Sequence, residues 1–176
     1  MRVLAIQGPI LKRLGERDPF YYPPDTLADI ARAIDGAAAE LGCTVRHFQS
    51  NSEGELIDWV QANQKQADAI IANPAGLTNY GISLRDALWE TGAHLAIGHL
   101  SNLLAREQWR RHDVFAEIAH VYFAGSQGSG YLHALRSLHT RFRAQQAAGG
   151  SRSGAASRDG LAVVSGVRWS DLSFAP

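Results

Sequence analysis

Arginine and tyrosine side chains share a segment near the start of the chain. The stretch QGPILKRLGERDPFYYPPDT follows an apolar run and places Arg17 shortly before Tyr22. A phenol is a weak base at its ordinary pKa of about 10, but an adjacent guanidinium favours the phenolate. An arginine on a mobile loop can bring that charge to the phenol when the loop closes. The alternative is a surface loop with solvated arginines and tyrosines that pack on the domain.

Two further segments carry polar side chains that suit an anionic or hydroxylated ligand. In NPAGLTNYG, Asn73 and Asn79 can hydrogen-bond a ligand, although Asn-Pro and glycine also form ordinary turns. In GHLSN, His99 is placed to act as an acid or base, and Ser101 follows it as a possible anion contact. A histidine satisfied by a backbone partner is the competing interpretation.

A cationic segment, AREQWRRHD, follows. Its basic side chains either clamp a carboxylate or face water. They are Arg106, Arg110, Arg111 and His112.

Five short apolar segments alternate with helical patterns along the chain. This alternation predicts an α/β fold, a flavodoxin-like three-layer sandwich with a five-stranded parallel sheet. Ligands of such sheets bind beyond the carboxyl ends of the strands, where the segments described above lie. The predicted strands are Val3–Gly8, Thr44–Ser50, Ala69–Pro74, His94–Leu100 and His120–Gly125.

The helices are predicted from apolar periodicity and from end signals. Gly42 follows the first helix as a natural C′ residue, and Ser52 and Glu55 have the spacing of a capping box. The predicted helices cover 26–41, 52–66, 81–91 and 130–146.

Composition excludes several classes of function. The 17 basic and 17 acidic side chains balance, so no net field favours nucleic acid or a membrane surface. Lys12 and Lys65 are the two lysines, which leaves few candidates for Schiff-base chemistry. The histidines lack metal-ligand spacing, and GSQGSG reverses the dinucleotide fingerprint, so it is expected to form a tight turn with close helix packing. We therefore expect no metal and no cofactor.

The remaining features concern compartment and domain limits. Cys43 is the single cysteine and is expected to pack as a small apolar residue. The start MRVLAIQG does not resemble a signal peptide and no apolar run approaches membrane-spanning length, so a cytoplasmic protein is expected. In 144–160, 12 residues are Ala, Gly or Ser. We therefore predict a catalytic domain over 1–143, with a linker and tail of unknown order over 144–176.

Several ordered motifs span most of the chain. They are GP-x-L-x-x-LG-x-R-x-P-x-x-Y, QSNSEGELIDW, NP…LRDAL, HLSN-x-x-ARE-x-x-RRH and QGSGYLHALRSL. From about Val3 to about Arg141 the chain thereby resembles the type II dehydroquinases, the 3-dehydroquinate dehydratases that work without a Schiff base.

The resemblance implies a lyase mechanism. Tyr22 would remove the proton alpha to the substrate ketone to give an enolate, with Arg17 favouring the phenolate form of the base. His99 would then protonate the departing hydroxyl. The reaction is the anti elimination of water from 3-dehydroquinate to 3-dehydroshikimate, in the shikimate pathway of aromatic amino acid biosynthesis.

The resemblance also implies how substrate and subunits are arranged. Arg110 and Asp86 would bind ring hydroxyls, with Asp86 reaching in from an adjacent subunit. Family members assemble as trimers, usually four to a dodecamer, so a homo-oligomer is expected. The substrate carboxylate would be held by Asn73, Leu100 and Ser101.

The chain departs from the family pattern at four polar positions. Ile10 replaces an asparagine that helps place the enolate-stabilising water, and losing one such stabiliser can reduce the rate roughly 100- to 1000-fold. Asn79 replaces a histidine that contacts a ring hydroxyl. Ile97 replaces a glutamate two residues before His99, an orienting partner of the acid. Leu104 replaces a second histidine.

Three functions are consistent with this pattern. The first is 3-dehydroquinate dehydratase activity, with Asn79 and nearby backbone compensating for Ile10. The second is elimination or isomerisation of another cyclic keto compound, favoured by apolar Ile10 and Ile97 and by bulky Tyr80. The third is a non-catalytic oligomeric binding protein. The survival of six polar side chains from four loops argues against the third; they are Arg17, Tyr22, Asp86, His99, Ser101 and Arg110.

Overall fold

A five-stranded parallel sheet forms the centre of the protein. The computed structural model describes residues 1–22 and 24–149. The strand order is β2-β1-β3-β4-β5, which is that of flavodoxin-like sheets, so the predicted fold is confirmed. The strands are β1 (Arg2–Gln7), β2 (Thr44–Gln49), β3 (Ala69–Asn73), β4 (His94–His99) and β5 (Val121–Ala124).

Four helices cover the two faces of the sheet. The helices α1 (Leu27–Glu40) and α4 (Ser129–Ala147) pack together on one face. The helices α2 (Glu53–Asn63) and α3 (Ile82–Glu90) pack together on the other. The result is the predicted three-layer sandwich, with helix ends close to those expected from the sequence.

The last helix ends within one residue of its predicted limit and overlaps the start of the predicted linker. It continues to Ala147, past the start of the predicted linker at residue 144. Alanine and glutamine are good helix formers, so the Ala-rich composition that indicated a linker also extends a helix. Residues 150–176, most of the predicted linker and tail, lie outside the described part of the chain.

The starts of α1 and α2 differ in how their backbone groups are capped. Thr26 and Asp29 form a complete capping box at α1. At α2, the Ser52 hydroxyl accepts from the Glu55 N–H at 3.4 Å, but the Glu55 carboxylate binds the Ser50 hydroxyl instead of returning to Ser52. The Ser52 N–H donates to Ser50 Oγ at 2.9 Å. The box predicted here is therefore only half formed.

Alternating side chains of β4 enter the two cores on opposite faces of the sheet. Leu95 and Ile97 belong to the core beneath α2 and α3, whereas Ala96 belongs to the core beneath α1 and α4. His99 continues the period of Leu95 and Ile97, because successive strand residues point to opposite faces. The strand thus places this histidine at the carboxyl edge, on the side of α2 and α3.

Glycines between β5 and α4 allow close packing, as predicted for GSQGSG. Gly125 has φ of +85°, a conformation that favours glycine. A Cβ atom on Gly130 would lie 2.2 Å from the Phe123 ring. The segment is a tight turn that brings α4 against the sheet.

Three further features bear on the expected class of protein. Cys43 is buried, and burial raises the pKa of its thiol, which suits a packing role. Among the described residues, no helix combines the length and apolar character that crossing a bilayer requires. Within the same residues, no cluster of three or more His, Cys, Asp or Glu side chains is arranged to hold a metal ion.

Candidate active site

Loops that follow β1, β3 and β4 meet at the carboxyl edge of the sheet and line a cleft with a cavity volume of about 50 Å³. Seven of the ten predicted site residues line it. The lining consists of Leu11, Arg17, Tyr22, Asn73, Ala75, His99, Leu100, Ser101, Leu103, Arg106 and Arg110.

Two arginines flank the tyrosine pair on the first loop. The Arg17 Cζ lies 3.8 Å from the centroid of the Tyr22 ring, and the Arg106 Cζ lies 3.7 Å from that of Tyr21. Burial lowers the pKa of Arg106, but hydrogen bonding and attraction to Tyr22, with a contribution from Glu107, raise it overall. Two positive charges therefore lie against the tyrosine pair, one on each ring.

His99 is buried at the end of β4 and has a carboxylate partner. Its Nε2 lies 2.7 Å from Asp113 Oδ2, and both side chains are almost fully buried. The Tyr122 hydroxyl donates to the same carboxylate oxygen at 3.0 Å. Among the described residues, His99 Nδ1 has no protein partner, and the imidazole lines the cleft. Nδ1 is thus the nitrogen open to a ligand.

Asn73 is fixed by a buried hydrogen-bond chain. Its Nδ2 donates to the Tyr131 hydroxyl at 2.9 Å, which donates to Gln7 Oε1 at 2.8 Å. Its Oδ1 accepts from the Ala75 N–H at 3.1 Å. Burial raises the pKa of Tyr131 to about 12, so the phenol remains a neutral donor. The Asn73 amide is therefore oriented before any ligand arrives.

The opposite wall of the cleft carries a serine and two arginines. Arg106 Nη1 donates to Ser101 Oγ at 3.3 Å, and Arg106 Nε donates to Glu107 Oε2 at 3.2 Å. Arg110 Nε lies 3.1 Å from the same Glu107 oxygen, but its buried N–H lacks the geometry of a hydrogen bond. This wall can bind an anion or several hydroxyls.

Three predicted site residues lie outside the lining of this cleft. Asn79 Nδ2 donates to the carbonyls of Trp109 and His112, at 2.8 and 2.6 Å, so its amide hydrogens are already used. Asp86 stands exposed on α3 and pairs with Arg85 at 2.9 Å.

Ile10 is the third. It lines an adjoining depression with Arg17 and Tyr22, and its N–H donates to Asn51 Oδ1 at 2.8 Å. Its φ of +70° is unusual for a β-branched residue.

Two apolar residues linked above with a less polar pocket are also outside the cleft lining. Ile97 is fully buried in the core beneath α2 and α3, and Tyr80 is 65% exposed. The expectation that Ile97 makes the pocket more apolar is therefore wrong, and the bulk of Tyr80 does not narrow this cleft. A strand-interior position faces the core, and Tyr80 is an exposed residue that follows the turn Ala75–Asn79.

Sequence reasoning gave no role to several residues that the structure places at the site. Arg106 was noted among the cations of its segment, but its contact with the tyrosine pair was not expected. Asp113 was not expected because it lies 14 positions from His99 in an irregular loop. The residue types of the apolar lining residues did not indicate a binding site; only their location after strands did. These residues are Leu11, Ala75 and Leu103.

The fold and cleft define an α/β protein of the flavodoxin-like class with a Tyr/His/Arg site at the carboxyl edge. The family model described as "Dehydroquinase class II" matches residues 1–139. The chain therefore belongs to the type II dehydroquinase family, and the predicted family and enzyme class, a hydro-lyase, are confirmed.

Individual relatives are consistent with membership of this family. The 3-dehydroquinate dehydratase of Corynebacterium pseudotuberculosis is 45% identical over 140 residues, which cover 78% of this chain and 96% of the relative. That of Pelotomaculum thermopropionicum is 40% identical over 136 residues, covering 77% and 94%. The crystal structure of type II dehydroquinase from Butyrivibrio crossotus has a TM-score of 0.76 at 30% identity, over 78% of this chain and 97% of that one.

Proposed function

We propose that this chain converts 3-dehydroquinate to 3-dehydroshikimate by anti elimination of water, with Tyr22 as base and His99 as acid. The observation that carries the assignment is that both side chains line one cleft, where two arginines stand against the tyrosine pair. A base and an acid on different walls suit an elimination in which proton and hydroxyl leave from opposite faces.

The reaction has two proton transfers. The Tyr22 phenolate takes the proton alpha to the ketone, and the electron pair of that C–H bond moves into the enolate. The enolate then collapses and expels the hydroxyl beta to the ketone, which takes a proton from His99 and leaves as water. Tyr22 ends protonated and His99 neutral, so one net proton transfer from phenol to imidazole restores the enzyme.

Positive charge is needed for the first step. The Arg17 guanidinium packs on the Tyr22 ring, and Arg106 is held beside it by Glu107 and Ser101. Fixed cations stabilise a phenolate most effectively when burial keeps water away from them, and the Arg106 side chain is 8% exposed. We assign both arginines to stabilising the base.

The remaining lining residues suit a hydroxylated ring acid. We assign the substrate carboxylate to Asn73, Ser101 and the backbone of Leu100, all at the edge where β3 and β4 end. Arg110 contributes a guanidinium to the ring hydroxyls. No cofactor is required, because both proton transfers use side chains of the cleft.

A second subunit completes the site in this proposal. Asp86 is exposed on α3 and outside the cleft of its own chain, and in a neighbouring cleft it would exchange its Arg85 partner for the substrate. We therefore propose a trimer-based homo-oligomer, of dodecamer size, in the cytoplasm.

No structural observation favours a different cyclic keto substrate. Of the residues that suggested one, Ile97 is in the core and Tyr80 is outside the cleft lining, as described above. Ile10 is 52% exposed at the mouth of the adjoining depression.

The direct test is turnover of 3-dehydroquinate, followed by the ultraviolet absorbance of the conjugated enone product. We expect activity in the native chain and its loss in Tyr22→Phe, which removes the base but keeps the ring beneath Arg17. Tyr21→Phe is the matched control, because it removes the neighbouring hydroxyl. Absence of turnover by the correctly assembled native protein would refute the proposal.

A further inference from the structure

The contact between His99 and Asp113 determines which nitrogen of the imidazole carries hydrogen. An ionised carboxylate can only accept hydrogen bonds. The 2.7 Å separation of His99 Nε2 and Asp113 Oδ2 therefore requires a hydrogen on Nε2. The nitrogen facing the cleft is Nδ1, which carries a proton only when the imidazole is fully protonated.

The Asp113 carboxylate is itself held in place. Its Oδ1 accepts from the Phe115 N–H at 2.9 Å, and its Oδ2 accepts from the Tyr122 hydroxyl at 3.0 Å. Burial, followed by the nearby Asp113 charge, raises the pKa of Tyr122, so this phenol keeps its hydrogen. With His99, three donors bind the carboxylate, whose side chain is 5% exposed.

Because His99 is buried, its protonated form needs a counter-charge close by. The His99 side chain is 4% exposed and that of Asp113 is 5% exposed. A buried imidazolium without a counter-charge is strongly disfavoured. A carboxylate in contact with it balances the charge until the proton leaves through Nδ1. Strand β4 does not supply that charge at the position two residues before His99, because Ile97 is apolar.

We propose that Asp113, held by Tyr122, is the positioning residue of His99 in this chain. It fixes the hydrogen on Nε2 and thereby presents Nδ1 as the acid that protonates the departing hydroxyl. This inference rests on the proposed role of His99 and deepens it. It assigns the orientation of the acid to a residue of a loop, and not to a residue of strand β4.

Asp113→Asn is the sharpest variant. The Phe115 N–H needs an oxygen acceptor, so the asparagine carbonyl takes that position and its NH₂ faces His99. That donor excludes a hydrogen on Nε2 and forces the opposite tautomer. We expect kcat to fall about 100-fold or more, with KM changed less than about threefold. Tyr122→Phe leaves the carboxylate in place, so its loss of kcat should be smaller.

A kinetic readout separates positioning from structural damage. With substrate deuterated at the carbon that loses its proton, Asp113→Asn should show a smaller isotope effect on kcat than the native enzyme, because protonation of the leaving group becomes limiting. Glu117→Gln is the control, since it removes a carboxylate that is 82% exposed. Unchanged kcat, or parallel losses in kcat and 1/KM with an unchanged isotope effect, would overturn the inference.

A second readout does not need turnover. Protein with ¹⁵N-labelled histidine, with the His99 signals assigned through His99→Gln, should show the Nε2–H tautomer in the native chain and Nδ1–H in Asp113→Asn. A native Nδ1–H tautomer would overturn the inference whatever the substrate. Inactive native protein with the Nε2–H tautomer would instead refute the proposed reaction and leave the assigned orientation supported.

Discussion

The Arg17 guanidinium lies against the face of the Tyr22 ring, with its Cζ 3.8 Å from the ring centroid. A cation in this position is attracted to the electrons of the ring but does not occupy the hydroxyl, which stays open to a substrate proton. Arg106, by contrast, lies over the neighbouring ring, with its Cζ 3.7 Å from the Tyr21 centroid. The two arginines therefore contact different members of the tyrosine pair.

Arg106 is expected to be essential for the proton abstraction. Arg106→Gln keeps a polar side chain near Ser101 but removes the charge that stabilises the phenolate, so kcat should fall about 100-fold or more. Steady-state kinetics on 3-dehydroquinate measure this. Arg111→Gln is the matched control, because Arg111 is exposed and binds only the Arg106 carbonyl, at 3.3 Å, among the described contacts. Equal losses in both variants would contradict the assignment.

The sequence predicted the fold well because local signals and hydrophobic periods agreed. Helix α1, for example, has a complete cap at Thr26, an apolar stripe and Gly42 at φ +64° after its end. Strand periodicity also placed His99 at the carboxyl edge. The helix predicted over 130–146 matches α4, but the linker predicted from residue 144 overlaps its end, because alanine suits both a helix and a flexible linker.

Contacts between loops were not predictable in the same way. His99 and Asp113 meet across an irregular segment with no hydrophobic period to set its path, so their pairing is a product of tertiary packing. Asn79 is a similar case, because its type suggested ligand binding while its amide hydrogens are used by Trp109 and His112. Its role in binding substrate stays a prediction.

The buried hydroxyl of Tyr131 should contribute to stability and to substrate binding. Tyr131→Phe leaves Gln7 Oε1 without its donor and Asn73 Nδ2 without its acceptor. A buried polar group left unsatisfied destabilises a protein by about 1–3 kcal/mol, so the free energy of unfolding should fall by about that amount. Because Asn73 also loses its orientation, KM should rise. Urea unfolding at fixed protein concentration, together with kinetics, tests both effects; unchanged stability would show that water replaces the hydroxyl.

Two effects of Ile10 can be tested separately: the strain of its left-handed backbone and the lack of a hydrogen-bonding side chain. A left-handed conformation costs a β-branched residue about 1–2 kcal/mol, which asparagine or glycine would relieve. We expect Ile10→Asn and Ile10→Gly each to raise the melting temperature relative to Ile10→Ala. Only Ile10→Asn should raise kcat, since it alone adds a group that can hold a water near the enolate. A gain in kcat with glycine as well would attribute the effect to backbone strain.

Asn79 is expected to act through the segment that carries Arg110. Asn79→Asp keeps the size of the side chain but replaces two donors with an acceptor facing the carbonyls of Trp109 and His112. The segment should shift, and KM should rise about 5- to 30-fold, the equivalent of losing about 1–2 kcal/mol of hydrogen bonding. Asn79→Gln, which retains the donors, should be affected less. If Asn79→Asp changes kcat but not KM, Asn79 does not act by positioning a binding group.

A mixing experiment tests whether Asp86 acts across subunits. Tyr22→Phe and Asp86→Ala proteins should each be strongly impaired, and light scattering should give each the mass of a trimer multiple. When the two are unfolded, mixed in equal amounts and reassembled, about a quarter of the sites receive a native Tyr22 from one subunit and a native Asp86 from another. Activity should therefore recover to about that fraction of the native value. If Asp86 served its own chain, no mixed oligomer would contain an intact site, and activity would stay at the level of the separate variants. A reassembled Tyr22→Phe and His99→Gln mixture is the control, because both side chains line the same cleft of one chain and mixing cannot restore them.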